Sequence, residues 1–232
     1  IIRKCQSAFT KGCYILEGLV VPQEIVHELK CTEQQGILLK LDFAKAFDTI
    51  EHPAMLAIMK QMGFDDRWLN WIKKIFESGT SSVLLNGVPG RQFFCKCGVR
   101  QGDPLSPLIF VLAAELLQAA INDAFAQDQI QLPFPSPAQK DYPVIQYADD
   151  TLIILPACTQ QVITVKKNLE DYATSIGLKI NFNKSTLIPI NCEATKCEEL
   201  ANVLGCVVGK MPFTYLGLPL GTTKPTVQEL MP

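Results

Sequence analysis

The stretch Val144-Ile145-Gln146-Tyr147-Ala148-Asp149-Asp150-Thr151-Leu152-Ile153-Ile154-Leu155 reads as two apolar strands joined by a turn that carries two aspartates. Aliphatic and β-branched residues favour the strands, and aspartate suits the turn. Upstream, Gly36 opens a further strand, Ile37-Leu38-Leu39-Lys40-Leu41, which closes at Asp42. Ser106 reads as an N-cap with Pro107 in the first turn, starting an apolar helix that runs to about Ala124. A proline-rich loop with Pro133, Pro135 and Pro137 leads back to Val144. Beyond Leu155, Thr159 reads as the cap of a helix with Val162, Val165, Leu169, Tyr172 and Ile176 on one face and Gly177 as its stop. Leu178–Phe182 and Thr186–Ile190 read as strands.

With residues 53–100 set aside as an insertion, the order is strand, helix, strand, strand, helix, strand. That is the split β-α-β arrangement of an α+β, ferredoxin-like antiparallel sheet. Its first and third strands are central and adjacent, so Asp42 is expected beside Asp149 and Asp150. The insertion reads as two helices and a hairpin. Pro53 starts the first helix, with Met55, Leu56, Met59 and Met62 at helical spacing until Gly63. The second starts at Asp65 or Asp66, carries Trp68, Leu69, Ile72, Ile75 and Phe76 on one face, and ends at Gly79. Asn86-Gly87 then joins Ser82–Leu85 to Val88–Cys95 through a tight turn. Before Gly36, Pro22, Ile25, Val26 and Leu29 suggest one short amphipathic helix.

The 232 residues suffice for one sizeable core, and 48% hydrophobic with 19% charged residues excludes a disordered tail or a coiled coil. The longest apolar run, Pro107–Leu117, includes Glu115 and is too short to span a bilayer, and no secretory signal is visible, so no membrane partner is expected. The chain starts at Ile1, which suggests a fragment. Nine scattered cysteines fit reduced intracellular thiols rather than a disulfide framework. A net charge of −2 argues against strong sequence-independent binding to nucleic acid by this chain alone.

Three carboxylates at one sheet edge repel one another unless a cation neutralises them. Mg²⁺ takes a few carboxylates and leaves positions for phosphate oxygens, and a pair of such ions can drive a displacement at phosphorus. The plainer reading of Asp149-Asp150 alone is a polar hairpin turn. Cys95 with Cys97, and Cys192 with Cys197, lack the paired spacing of a zinc site, and His27 and His52 lie near neither pair in sequence. No phosphate-cradling glycine loop occurs.

Leu41-Asp42-Phe43-Ala44-Lys45-Ala46-Phe47-Asp48, Gly98-Val99-Arg100-Gln101-Gly102-Asp103-Pro104-Leu105-Ser106-Pro107 and Tyr147-Ala148-Asp149-Asp150 together resemble the ordered motifs of reverse transcriptases. Gly177–Ser185 and Tyr215–Gly221 are similar to the family's later motifs, so the likeness runs from about Gln6 to Gly221. The nearest subgroup is the non-LTR (LINE-type) retrotransposon enzymes, especially plant elements. The resemblance implies a palm at 36–52 and 101–208, fingers-like parts at 1–35 and 53–100, and a primer grip with the start of a thumb at 209–232. It also implies an RNA-directed DNA polymerase that uses an RNA template, a DNA primer and dNTPs, with Mg²⁺, or Mn²⁺ in its place, as cofactor. Work in the nucleus follows from the same likeness.

By the same resemblance, Asp42, Asp149 and Asp150 hold the metals with help from the Phe43 carbonyl, and Phe47 sits beneath the incoming sugar. Gln101 and Gly102 line the nucleotide and template pocket, with Arg100 a candidate phosphate contact. Tyr147 and Ala148 lie under the primer end, and Lys184 protonates the departing pyrophosphate. Gly12-Cys13 departs from the family's usual Gly-Arg, and Glu17 stands where aspartate is common. The finger strand with a triphosphate-gripping arginine is expected upstream of Ile1, and no endonuclease motif or zinc knuckle is seen, so the chain alone is expected to be inactive. A silent remnant that keeps the fold is the alternative. A nucleotidyl cyclase is disfavoured by the Gln-Gly-Asp-Pro segment and the grip motif. Oligomeric state is left open.

Overall fold

The computed structural model describes residues 6–10, 12–134 and 141–221. Pro135, Pro137 and the expected thumb start beyond Gly221 lie outside them. Helix α1 (Glu17–Cys31) leads into β1 (Gly36–Leu41), a short α2 (Ala46–Thr49), α3 (His52–Gln61) and α4 (Asp66–Ser78). Four two-residue strands follow: β2 (Thr80–Ser81), β3 (Leu84–Leu85), β4 (Val88–Pro89) and β5 (Phe93–Phe94). Then come α5 (Ser106–Ala126), β6 (Val144–Tyr147), β7 (Asp150–Pro156), α6 (Thr159–Ile176), β8 (Thr186–Ile190) and α7 (Ala194–Leu204). Strands β9 (Val207–Val208), β10 (Phe213–Tyr215) and β11 (Leu218–Leu220) complete the described chain.

The main sheet has the order β6-β7-β1-β8-β9, with β1 antiparallel to both neighbours and β9 parallel to β8. The expected split β-α-β order is therefore present, and β9 extends it by one strand. Side-chain alternation sends Ile37, Leu39, Leu41, Ile153 and Leu155 into a core shared with α3 to α7. Leu38, Leu152, Ile154, Ile188 and Ile190 face the other way, onto α1 and the β10–β11 hairpin. Two apolar layers thus cover the sheet. Helix α5 is long and apolar enough by length and composition to cross a membrane, yet most of it is buried among the core elements.

Four expectations are corrected. Leu178–Phe182 is no strand: Phe43 and Ile180 make a single bridge, and the Asn181–Ser185 turn then shifts the register before β8 pairs with β1. Ser106 is not the N-cap of α5 but its buried first residue. The turn before it is closed by Asp103 instead, whose Oδ1 accepts the Leu105 N–H at 2.8 Å. Thr159 does not cap α6, because its hydroxyl donates to Glu199 Oε1 at 2.8 Å and so ties α6 to α7. In α4, Leu69, Ile72 and Phe76 are buried while Trp68, Trp71 and Ile75 are exposed, so the apolar stripe is narrower than its spacing suggests. The Asp65 side chain caps α4 through the Arg67 N–H. Asn86 and Gly87 both adopt positive φ, as the tight hairpin turn requires. The Thr80–Phe94 and Leu84–Pro89 pairings differ in register by one residue, so the expected single hairpin is two short ladders.

Candidate active site

Leu41 pairs with Thr151 at the end of the β1–β7 ladder. Asp42 and Asp150 adjoin this last pair, and their charges are close enough to interact although the two are far apart in sequence. Tyr147 and Asp150 pair across the β6–β7 hairpin, leaving Ala148 and Asp149 as its two turn residues. Alternation places Lys40, Asp42, Tyr147 and Asp150 on the sheet face that carries α1 and the β10–β11 hairpin. Asp149 is exposed, while Asp42 and Asp150 are half-buried.

The electrostatics register this crowding. The Asp150 carboxyl is held above its ordinary value by burial first and then by Asp149, with a further push from Asp42 and an opposing pull from Lys40. Lys40 donates to the Thr214 carbonyl at 3.2 Å, which ties the same edge to β10. The Tyr215 hydroxyl donates to the Asp150 carbonyl at 3.4 Å. Asp42 is fixed through its backbone. Its N–H donates to Ser185 Oγ at 3.1 Å, Ser185 Oγ donates to the Asn181 carbonyl at 2.9 Å, and the Asn181 N–H donates to the Asp42 carbonyl at 2.8 Å. Ser185 is buried at 1% exposure, so this small network is shielded from competing water.

The other expected residues fall around this edge. The Phe43 ring points into the core, edge-on to Tyr172 at 6.4 Å. The Asn181 N–H donates to the Asp42 carbonyl and the Ala44 N–H donates to the Lys179 carbonyl, which leaves the Phe43 peptide groups facing away from that segment. Phe47 is half-buried on α2 and stacks on Phe110, with centroids 4.8 Å apart and planes 16° apart. The Gly98–Arg100 segment is hydrogen-bonded along α2, Val99 N–H to the Phe47 carbonyl at 2.6 Å and Gly98 N–H to the Ile50 carbonyl at 2.7 Å. Gly98 has φ +78°, and a Cβ there would lie 2.6 Å from the Asp48 carbonyl oxygen, so only glycine permits the approach. Gln101 and Gly102 follow on an exposed turn, with open space around the Gly102 Cα. Lys184 is exposed in the Asn181–Ser185 turn, next to the residue that holds Asp42.

A cavity of about 580 Å³ lies between α4, the hairpin and the start of α5. Arg100, Gln101, Asp103, Phe93, His52 and Asp48 are among its lining residues, whereas the three carboxylates of the sheet edge are not. The cavity therefore stands beside the carboxylates rather than over them. His52, Cys95 and Cys97 share its lining although they are apart in sequence, and His52 Nε2 is hydrogen-bonded to the Gly98 carbonyl at 2.7 Å. Among the described residues, no three His, Cys, Asp or Glu side chains form a ready-made metal cage. Asp42, Asp149 and Asp150 sit side by side at an open edge instead. Hard oxygen donors with unrelieved mutual repulsion fit Mg²⁺, which keeps several positions for water and phosphate oxygens.

A family model described as reverse transcriptase (RNA-dependent DNA polymerase) matches residues 1–220. The chain belongs to that family. It is 28% identical over 207 residues to a retrovirus-related Pol polyprotein from the type-1 retrotransposable element R2 of Popillia japonica, a match covering 83% of this chain and 32% of the relative. The R2DM polyprotein of Drosophila melanogaster is 26% identical over 164 residues, covering 70% of the chain and 15% of that protein. The RNA-directed DNA polymerase from the mobile element jockey of the same fly is 22% identical over 188 residues, covering 78% and 19%. These similarities place the reverse transcriptase chain among relatives from non-LTR elements, of whose length it spans about a third or less. Telomerase from Candida albicans, solved with a fragment of telomeric RNA, shares the fold at a TM-score of 0.62 and 14% identity, covering 94% of this chain and 34% of the telomerase. Apo telomerase from Candida Tropicalis aligns at a TM-score of 0.59 and 15% identity, covering 94% and 36%.

Proposed function

We propose that this chain is the polymerising core of a non-LTR retrotransposon protein, adding deoxynucleotides to a primer 3′-hydroxyl on an RNA template. The observation that carries the reading is the end of the β1–β7 ladder, where Asp42 and Asp150 adjoin the last pair and interact with each other and with Asp149, in a chain of this family. In this assignment 36–52 and 101–208 are palm, 1–35 and 53–100 are fingers-like, and the β10–β11 hairpin is the primer grip that leads toward a thumb. Asp42, Asp149 and Asp150, with the Phe43 carbonyl, would hold two Mg²⁺ ions. Bound there, the ions would supply activation of the primer hydroxyl and neutralisation of the leaving pyrophosphate.

The chain's own residues do the rest. Phe47, braced flat against Phe110, would occupy the space a ribose 2′-hydroxyl needs, so selection for deoxynucleotides comes from a clash rather than an attraction. Gln101 and Gly102 would border nucleotide and template, which the neighbouring cavity and the open space at Gly102 support. Tyr147 and Ala148 would underlie the primer end, and Lys184 would deliver a proton to pyrophosphate as it departs. Retention of all three carboxylates favours a working centre over a remnant. The plant affinity rests on the wording of the motifs, and nuclear action on the element class.

The test is primer extension on an RNA template by this chain alone and by the chain extended at both ends with the corresponding segments of an R2 relative. Magnesium-dependent DNA synthesis by the extended chain, with extension near background and strongly salt-dependent binding for the chain alone, is the expected result. No synthesis by either would refute the proposal.

A further inference from the structure

The N-terminal segment reaches the carboxylate turn. Gln6 forms a parallel bridge with Gln146 on the outer side of the edge strand β6, and the Ser7 N–H donates to the Gln146 carbonyl at 3.2 Å. The Gln6 side chain is fully buried. Its Oε1 accepts two hydrogen bonds, from the Ala8 N–H at 2.9 Å and from the Ala148 N–H at 3.3 Å. Ala148 is the first of the two turn residues before Asp150 and has φ +54°, a left-handed conformation that costs a side-chain-bearing residue strain. At a hairpin tip its N–H has no ladder partner, so the glutamine supplies the hold.

A second observation points the same way. Gln6 Nε2, Gln146 Oε1 and Thr151 Oγ1 are all buried without a partner. Gln6 bridges Gln146, and Gln146 pairs with Thr151, so the three side chains form one row across three neighbouring backbones on a face otherwise filled by residues such as Val144 and Ile153. An amide donor, an amide acceptor and a hydroxyl side by side are chemically complementary, through a small rotation or a bridging water. Unpaired buried polar groups weaken a fold, so a polar row directly beneath the carboxylate turn calls for a role there.

We propose that Gln6 is a positioning residue for the metal-binding turn: it clamps the Ala148 N–H and so holds Asp149 and Asp150 in the orientation that meets Asp42. The inference rests on the two-metal reading of those carboxylates and adds a tether from the N-terminal segment that the reading does not contain.

The test uses this chain as wild type, as Gln6→Met, which keeps length but loses the acceptor, and as Gln6→Glu, which keeps an acceptor. Amide hydrogen exchange at Ala148 is followed by NMR, and Mn²⁺ binding by electron paramagnetic resonance. In wild type the Ala148 amide should exchange at least tenfold more slowly than in an unstructured peptide. Gln6→Met should remove that protection and weaken Mn²⁺ binding at least fivefold while the β1 and β7 amides stay protected, and Gln6→Glu should restore most of both. An unprotected Ala148 amide in wild type overturns the clamp even if Gln6→Met does not fold, and so does unchanged exchange in Gln6→Met. Absent Mn²⁺ binding in wild type with a protected Ala148 amide would instead refute the metal reading and leave the tether standing.

Discussion

Asp149→Asn should make the metal-free chain more stable while removing its response to magnesium. Asp149 is one of the two carboxylates that push the Asp150 carboxyl upward, in addition to burial. Adjacent residues place the two charges about 6 Å apart, where the repulsion is about 3 kcal/mol at an effective dielectric of 20 and about 0.7 kcal/mol in water. Asp149 is exposed, so a value near the lower end applies, about 1 kcal/mol, or about 2–4 °C in melting temperature for a chain of this size. The pH dependence has a definite sign. Because the folded-state pKa of Asp150 is raised, its contribution to stability is present below the ordinary aspartate value of 3.8 and is lost as pH rises through the raised one. The advantage of Asp149→Asn is therefore absent in acid, complete at neutral pH, and reduced by added salt.

Mg²⁺ at ten times its Kd should add about 1.4 kcal/mol to wild type and nothing comparable to the variant, so the order of stabilities reverses. Differential scanning calorimetry in EDTA and in Mg²⁺ at pH 7.5, repeated near pH 3.5, reads all of this. A variant less stable than wild type in EDTA, or one that gains equally from Mg²⁺, would refute the electrostatic reasoning.

Phe47→Val should raise the ratio of ribonucleotide to deoxynucleotide kcat/KM more than tenfold in the extended chain, at a stability cost of about 1–2 kcal/mol because the ring is only half-buried. An unchanged ratio would leave Phe47 as packing for Phe110 and no gate. Ser185→Ala removes the acceptor for the Asp42 N–H and the donor to the Asn181 carbonyl, and should cost about 2 kcal/mol, or roughly 4–8 °C, by thermal melting. No change in melting temperature would show that Asp42 is fixed by other contacts.

What the sequence disclosed was what local pattern and topology rules decide together. Strand alternation and the split β-α-β order were enough to bring Asp42 beside Asp150, and Asn86-Gly87 was enough to place its hairpin turn. What stayed hidden depends on distant partners. Leu178–Phe182 has the composition of a strand, but the edge of β1 beyond Leu41 gives it only the Phe43–Ile180 bridge. Ser106 and Thr159 look like caps, yet Asp103 closes the turn before α5 and Thr159 spends its hydroxyl on Glu199 of α7. Helix α7 does carry a signal, since Cys197, Leu200, Ala201 and Leu204 recur at helical spacing and are buried. Ser185 lies within the Gly177–Ser185 motif, but its hold on Asp42 needs the turn geometry. Gln6 carried no local signal at all, since its partner Ala148 is supplied by the far end of the sheet.

The central claim is that Asp42, Asp149 and Asp150 together carry metal-dependent DNA synthesis. Its most direct test is single-nucleotide incorporation on an RNA template in Mg²⁺, comparing the chain extended with an R2 relative's flanking segments with its Asp150→Asn variant at matched folding and template binding. The account predicts incorporation by wild type and a loss of at least a thousandfold in the variant with binding of the primed template unchanged. Incorporation by Asp150→Asn within tenfold of wild type would contradict it.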